Sequence, residues 1–281
     1  MRIGLTGADG FTGAYILAQL ARQGMECVAL SADLTEPEAV AAEVDSKPFD
    51  RLIHLAGEAF VASGDWRRFY AVNQLGTLTL LDRLAQCRPG MRCILASSAQ
   101  VYGPGASGRI AEDYPPRPSN HYAFSKLAME ICADAFADQL EIVVTRPFNY
   151  TGVGQQLRYV IPKIVDHFRR RAPRIELGNV EVRRDFGDVR TVAEAYAGLV
   201  LADSPPSLVN IATGNDHSIR EIVAMAEAVT GHSIAIEVNP AFLRDNEVPV
   251  LVGDQCRLKA ALPSWQPRPF EETLEWMLAG G

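Results

Sequence analysis

The chain has 281 residues, of which 48% are hydrophobic and 22% charged, the makeup of a folded globular protein with one large domain or two ordinary ones and not of a disordered or collagen-like chain. Its 27 Lys and Arg face 34 Asp and Glu, a formal net charge of -7 that repels polyanions and argues against a nucleic-acid partner. Neither the five cysteines nor the five histidines follow a disulfide or metal-ligand spacing, and no apolar run reaches the roughly 18 residues of a membrane span, so the expectation is a cytoplasmic protein with no metal and no membrane partner.

The elements alternate from the start. Arg2–Thr6 is a short apolar run that predicts a buried strand, and residues 11–23 repeat apolar side chains at helical spacing. Between them Gly7-Ala8-Asp9-Gly10-Phe11-Thr12-Gly13 places three glycines three apart. A strand, a glycine turn and a helix N-terminus in that order let a backbone approach a pyrophosphate, with free N–H groups and the positive helix dipole aimed at it. Gly7, Asp9, Gly10, Phe11, Thr12 and Gly13 are therefore a candidate dinucleotide loop.

A second strand over residues 25–30 runs into Ser31-Ala32 without the acidic residue that usually holds the adenosine ribose. Asp33 follows in Asp33-Leu34-Thr35, as if a helix and strand had been cut out. Its carboxylate has two possible uses, bonding an adenine amino group or capping a helix that starts near Glu36. With neither a ribose carboxylate nor an arginine for a 2′-phosphate, NADH and NADPH both stay open.

Further strands are predicted over 49–56, 92–97 and 141–146, with helices over 66–85 and 121–139 between them. This order predicts an α/β fold, a Rossmann-type doubly wound parallel sheet covered on both faces. Beyond Pro147, the breakers Gly152, Gly154, Pro162, Pro173 and Gly178 mark a smaller lobe. We expect a dinucleotide-binding domain over 1–150, with 186–203 returning to it, and a nucleotide-sugar lobe over 151–281.

Tyr122 and Lys126 lie four apart on the helix over 121–139, so they share a face. An ammonium beside a phenol stabilises phenolate and lowers the tyrosine pKa. Ser98 follows the strand over 92–97, at the carboxyl edge where open parallel sheets bind ligands. Its hydroxyl can orient a carbonyl beside Tyr122.

With these residues in place the sequence resembles the extended short-chain dehydrogenase/reductases that act on nucleotide sugars. The resemblance covers nearly the whole chain. It is carried by the glycine loop, Leu55-Ala56-Gly57, Ser97-Ser98-Ala99-Gln100-Val101-Tyr102-Gly103, Tyr122-Ala123-Phe124-Ser125-Lys126 and Arg146-Pro147-Phe148-Asn149. Segments around Arg184, Asn210 and Arg244 resemble most the branch that reduces GDP-4-keto-6-deoxy-mannose to GDP-rhamnose. The resemblance implies Tyr122 as proton donor, Lys126 on the nicotinamide ribose lowering the Tyr122 pKa, and Ser98 on the keto oxygen. NADPH or NADH would be held by the loop together with Asp33, Leu34, Leu55, Ala56, Gly57, Pro147 and Phe148. Asn149, Arg184 and Arg244 would contact the diphosphate or the nucleotide, GDP in that branch, and the relatives' dimer would pair residues 66–85 and 121–139 of two subunits as a four-helix bundle. Gln100 stands where dehydratases carry a carboxylate and cannot titrate, which disfavours elimination. Two alternatives remain: a 4-epimerase that keeps its NAD, and a regulator that binds the dinucleotide without turning it over.

Overall fold

The computed structural model describes residues 1–59, 65–242 and 249–280. Six parallel strands form the central sheet: β1 (Arg2–Thr6), β2 (Glu26–Leu30), β3 (Arg51–His54), β4 (Arg92–Ala96), β5 (Glu141–Pro147) and β6 (Leu208–Ile211). Their spatial order is β6-β5-β4-β3-β1-β2, so the winding reverses between β1 and β3, the switch point where such sheets open a ligand crevice. With β2 at the edge, the short connection after Leu30 is accounted for: among the described residues no strand lies outside it.

Side chains alternate across this sheet with the period of two that strands impose. Ile3, Leu5, Ile53 and Ile94 enter a core under helices α1 (Phe11–Arg22) and α6 (Val189–Leu201). Leu52, Cys93 and Leu95 enter the opposite core. That second face is covered by α2 (Pro37–Ser46), by α3, which begins at Trp66–Phe69 and ends at Thr77–Cys87, and by α4 (His121–Ala133). The predicted helix over 66–85 is thus one continuous rod, but Tyr70–Gly76 within it is wound as a π-helix. The helix predicted over 121–139 stops at Ala133 and continues as a 3-10 turn over Asp134–Phe136.

Local chemistry fixes the ends that matter. Asn120 caps α4, its side chain accepting from Ala123 N–H at 2.9 Å, and Asp188 caps α6 through Arg190 N–H at 2.7 Å. Most of the remaining residues build a lobe around Ile161, Ile164, Phe168, Ile175, Phe186, Ile222 and Leu274, using α5 (Val160–Arg169), α7 (Ile219–Thr230) and α9 (Phe270–Ala279), while α8 (Cys256–Ala261) packs against β6 with Leu258 in the core under α1 and α6. The return to the sheet reaches further than residues 186–203, because β6 at Leu208–Ile211 pairs with β5. Between lobe and sheet, Ala99, Val101, Tyr102, Phe148, Ala212 and Leu251 pack as a small core of their own.

Candidate active site

The glycine loop joins β1 to α1 as expected. Gly7 has φ of +67°, and a Cβ there would lie 3.0 Å from the Ala56 nitrogen. At Gly13 a Cβ would lie 2.1 Å from the Gly7 carbonyl oxygen, so helix and turn touch in a way only glycine allows. Gly10 is the N-cap of α1, with no side chain covering the first N–H groups. The loop after β3 lies alongside, its Leu55 and Ala56 N–H groups both donating to Thr6 Oγ1 at 3.1 Å. Thr12 is hydrogen bonded to the Tyr150 hydroxyl at 2.8 Å, and the Phe11 and Tyr150 rings stack with centroids 6.3 Å apart.

Beyond the loop, α4 crosses the end of β4, and residues spaced i, i+4 and i+8 on one helix face meet three consecutive residues of the strand end. Lys126 Nζ donates to the Ala96 carbonyl at 2.7 Å. Ser97 donates through its hydroxyl to Glu130. Ser98 and Tyr122 are hydrogen bonded, which opposes the rise in the phenol pKa described below. All of these side chains are buried. Ser98 Oγ also accepts from the Gln100 N–H at 3.2 Å as the N-cap of a 3-10 turn, and Gln100 Oε1 accepts from Asn120 Nδ2 at 3.2 Å. On the helix side, Glu130 is forked by Arg146, with Nη2 donating to Oε2 at 2.6 Å and Nε to Oε1 at 3.1 Å.

Lys126 also faces the loop after β3: a Cβ on Gly57 would come within 3.2 Å of Nζ and 2.8 Å of Asn73 Oδ1. Asn73, fully buried in the π-helical turn, ties three elements together. Its Oδ1 accepts from Glu58 N–H at 2.8 Å, and its Nδ2 donates to the Glu58 carbonyl at 2.9 Å and to Ser125 Oγ at 3.0 Å. Ser125 in turn donates to the Tyr122 carbonyl at 2.8 Å. A parallel chain runs from Thr6 through His54 Nδ1 (2.8 Å) and His54 Nε2 to Thr77 (2.9 Å), whose hydroxyl donates to the Asn73 carbonyl (2.8 Å).

The electrostatics depart from the expectation in one respect. Burial pushes the Tyr122 phenol up to about 12, the hydrogen bond with Ser98 works against this, and Tyr150 and Tyr159 add to it. No lowering by Lys126 enters. Burial instead pushes the Lys126 amine down to about 8, with Glu130 pulling it up. Desolvation also drops His54 to about 3, aided by the Lys126 charge, so its imidazole is neutral.

Asp33 is exposed, and its Oδ1 accepts from Thr35 N–H at 2.9 Å and Thr35 Oγ1 at 2.7 Å. It closes this turn and does not cap α2, whose N-cap is Glu36 and which opens on Pro37; the capping alternative is therefore corrected. Leu34 is buried in the core beneath α2. Pro147 ends β5, while the Phe148 ring is buried against Tyr102, with Gly253 packed on it so closely that a Cβ would reach 2.7 Å. Asn149 is exposed on a short strand, Asn149–Thr151, that pairs with Phe186–Asp188, two residues after Arg184. Arg184 Nη1 donates to the Arg183 carbonyl at 2.8 Å. Its neighbour Asp185 is buried and collects the Thr213, Gly214 and Gly253 N–H groups at 3.0, 2.9 and 3.3 Å, which anchors this strand. Arg244 lies outside the described residues. Asn73, Glu130, His54 and Asp185 are the members that sequence reasoning missed. Glu130 alone carried a signal, since it continues the four-residue spacing of Tyr122 and Lys126.

A dinucleotide fits this cleft on the backbone evidence: the Gly7, Gly13 and Gly57 positions all exclude a Cβ, and the N-terminus of α1 points into it uncapped by a side chain. A pocket of about 160 Å³ lined by Gly7, Asp9, Leu30, Ser31, Glu43 and Ala56, among others, extends from the loop toward the end of β2. Residues 28–277 match the family model described as GDP-mannose 4,6 dehydratase. The chain is 33% identical over 302 residues to GDP-6-deoxy-D-mannose reductase of Pseudomonas aeruginosa, covering 96% of this chain and 99% of that one. It is 32% identical over 267 residues to GDP-6-deoxy-D-talose 4-dehydrogenase of Aggregatibacter actinomycetemcomitans, covering 92% and 90%. Among solved structures, a putative epimerase from Burkholderia cenocepacia superposes with a TM-score of 0.92 at 38% identity over 99% of this chain and 97% of that one. RMD from Pseudomonas aeruginosa complexed with NADPH gives 0.89 at 31% identity over 99% and 98%.

Proposed function

This chain belongs to the GDP-mannose 4,6-dehydratase family within the extended short-chain dehydrogenase/reductases and is an NAD(P)-dependent oxidoreductase, and on that premise we propose that it reduces the 4-keto group of a GDP-4-keto-6-deoxyhexose to give GDP-6-deoxy-mannose (GDP-rhamnose). The observation that carries this reading is the convergence of Ser98, Tyr122 and Lys126 where α4 crosses the end of β4, next to Gly57 and the glycine loop.

When bound along that loop, the reduced nicotinamide supplies the hydride for the sugar C4. The chain supplies the rest. Ser98 hydrogen bonds the keto oxygen and holds the carbonyl beside Tyr122. With its pKa near 12, the Tyr122 phenol keeps its proton at neutral pH and releases it to the oxygen only as that oxygen gains alkoxide character. One hydride and one proton then convert C=O to CH–OH. Lys126 sits one helical turn away, held by its bond to the Ala96 carbonyl beside Gly57, and is assigned to the nicotinamide ribose. Gln100, hydrogen bonded to Asn120, adds no acid or base at that position, which favours reduction over the elimination a dehydratase performs.

Asn149, Arg184 and Arg244 are assigned to the GDP diphosphate, where an arginine fork matches phosphate oxygens, and the lobe around them to the nucleotide sugar. We assign the exposed apolar side chains Leu75, Phe124 and Ile131 of α3 and α4 to a homodimer in which these helices form a four-helix bundle. Incubation of the purified protein with NADPH or NADH and GDP-4-keto-6-deoxy-mannose tests the function. Loss of 340 nm absorbance stoichiometric with a 6-deoxyhexose product is expected. Product without net cofactor loss would make the protein an epimerase, and binding without product a regulator.

A further inference from the structure

The edge strand β2 ends at Leu30, and the position that ordinarily offers a carboxylate to the adenosine ribose is taken by Ser31 and Ala32. A carboxylate nevertheless arrives there from α2. Glu43 Oε1 accepts from the Ser31 N–H at 2.9 Å and faces the Ser31 hydroxyl at 3.4 Å, and Oε2 accepts from the Ala32 N–H at 2.8 Å. Lys47, one turn on, donates to Oε1 at 2.8 Å and to the Ala29 carbonyl at 2.8 Å, so its ammonium is already committed. Burial raises the Glu43 carboxyl, but the hydrogen bonds from Lys47, Ser31 and Ala32 outweigh it and hold the group below the usual range, hence ionised at neutral pH.

The setting decides what this charge does. Glu43, Ser31 and Ala32 line the same pocket as Gly7 and Asp9, and its charged lining residues are Asp9 and Glu43, both acidic. Arg68, whose charge is felt at the nearby Asp33, is ion-paired with Glu58 at 3.2 Å. We propose that Glu43, delivered by α2 in place of a strand-borne acid, sets the cofactor preference: it accommodates the free 2′-hydroxyl of NADH and rejects the 2′-phosphate of NADPH. A ribose hydroxyl can donate to a carboxylate, whereas a phosphate dianion meets a like charge, offset only in part by Lys47, in a pocket that has no cation among its described lining residues.

This inference rests on the dinucleotide reading of the cleft. Its test is binding, not turnover. Titration of the purified protein with NADH and NADPH by calorimetry, at low and at 0.5 M salt, is expected to give about a hundredfold tighter Kd for NADH, narrowing as salt screens the clash. Glu43→Gln keeps an acceptor for Ser31 or Ala32 and removes the charge, and it should bring the two constants to within about tenfold by tightening NADPH. Ser31→Arg, at an exposed position, leaves Glu43 in place and should tighten NADPH selectively, so the test survives should Glu43→Gln fold poorly. Equal wild-type affinities, or a preference unchanged in both variants, overturn the proposal. A protein that binds neither dinucleotide overturns the oxidoreductase reading itself, which is a different outcome from a lost preference.

Discussion

Replacing Glu130 by glutamine separates the placement of Lys126 from its charge. Glutamine is isosteric and still accepts from Ser97, so the ladder of α4 against the end of β4 keeps its geometry while the carboxylate charge disappears. Side chains four apart on a helix have Cβ atoms about 5–6 Å apart, and at an effective dielectric near 20 an ammonium and a carboxylate at that distance attract by about 3 kcal/mol. That corresponds to about two pKa units. Arg146, hydrogen bonded to the same carboxylate at 2.6 and 3.1 Å, cancels part of it, and a net loss of about one unit is expected. Among the described residues that face Lys126 and Glu130, His54 on β3 is neutral, Tyr122 keeps its proton, and Arg146 on β5 is a cation.

The sign follows from which form is active. Turnover needs the ammonium, so it is present below the Lys126 pKa and lost as pH rises through about 8. Tyr122, near 12, titrates outside that window, so the falling limb of kcat/KM reports Lys126. In Glu130→Gln the limb should move down by about one unit, with the rate near pH 6 largely kept. Glu130→Asp restores a charge and should return the limb toward its wild-type position, and Arg146→Gln, which removes a cation, should move it up. The buried pair is structural as well, and breaking it costs about 3 kcal/mol or more, so profiles are to be recorded on protein shown to be folded by circular dichroism. A Glu130→Gln enzyme with lowered thermal stability and an unmoved limb would refute the electrostatic role and leave Glu130 as packing alone.

Three further outcomes follow from the same geometry. Tyr122→Phe removes only the transferable proton and should lower turnover by about a hundredfold or more while leaving the dinucleotide Kd, measured by fluorescence quenching, within about twofold; unchanged turnover would exclude Tyr122 as the donor. His54 has a folded pKa near 3 against about 6.5 for a free imidazole. The unfolded chain therefore binds a proton that the folded one refuses, and stability should fall by about 2 kcal/mol between pH 7 and pH 5 in urea titrations, a slope flattened in His54→Gln. Ile131 and Leu75 are 65% and 59% exposed; Ile131→Glu with Leu75→Glu should convert a dimer to a monomer in light scattering, and an unaltered mass would place the interface elsewhere.

What the sequence made legible was local. Alternation along β1, β3 and β4 and the glycine turn into α1 involve neighbours within about a dozen residues, where backbone sterics and periodicity act directly. The meeting of Ser98 with Tyr122 and Lys126 spans a longer connection, yet it follows from topology: only a 3-10 turn and the short strand Gly108–Ile110 separate β4 from α4, so the end of one lies beside the start of the other. Features that depend on side chains arriving from distant segments were not legible. Glu43 is near Ser31 in sequence, yet it looks like an ordinary residue of an amphipathic helix, because neither strand nor helix periodicity says where α2 folds against the end of β2. Arg146 finds Glu130 only after β5 has entered the sheet beside β4, and Asn73 reaches both Glu58 and Ser125 from a turn of π-helix that residue spacing does not announce. The Tyr122 pKa is the clearest case. A phenol and an amine one turn apart imply a lowered pKa if both face water. Here both are buried and the amine is spent on the Ala96 carbonyl, so desolvation, which grows with packing from every side, outweighs a pairwise attraction visible in the sequence. The convergence of Ser98, Tyr122 and Lys126 could be read from their spacing, whereas their protonation states depended on neighbours that only the fold supplied.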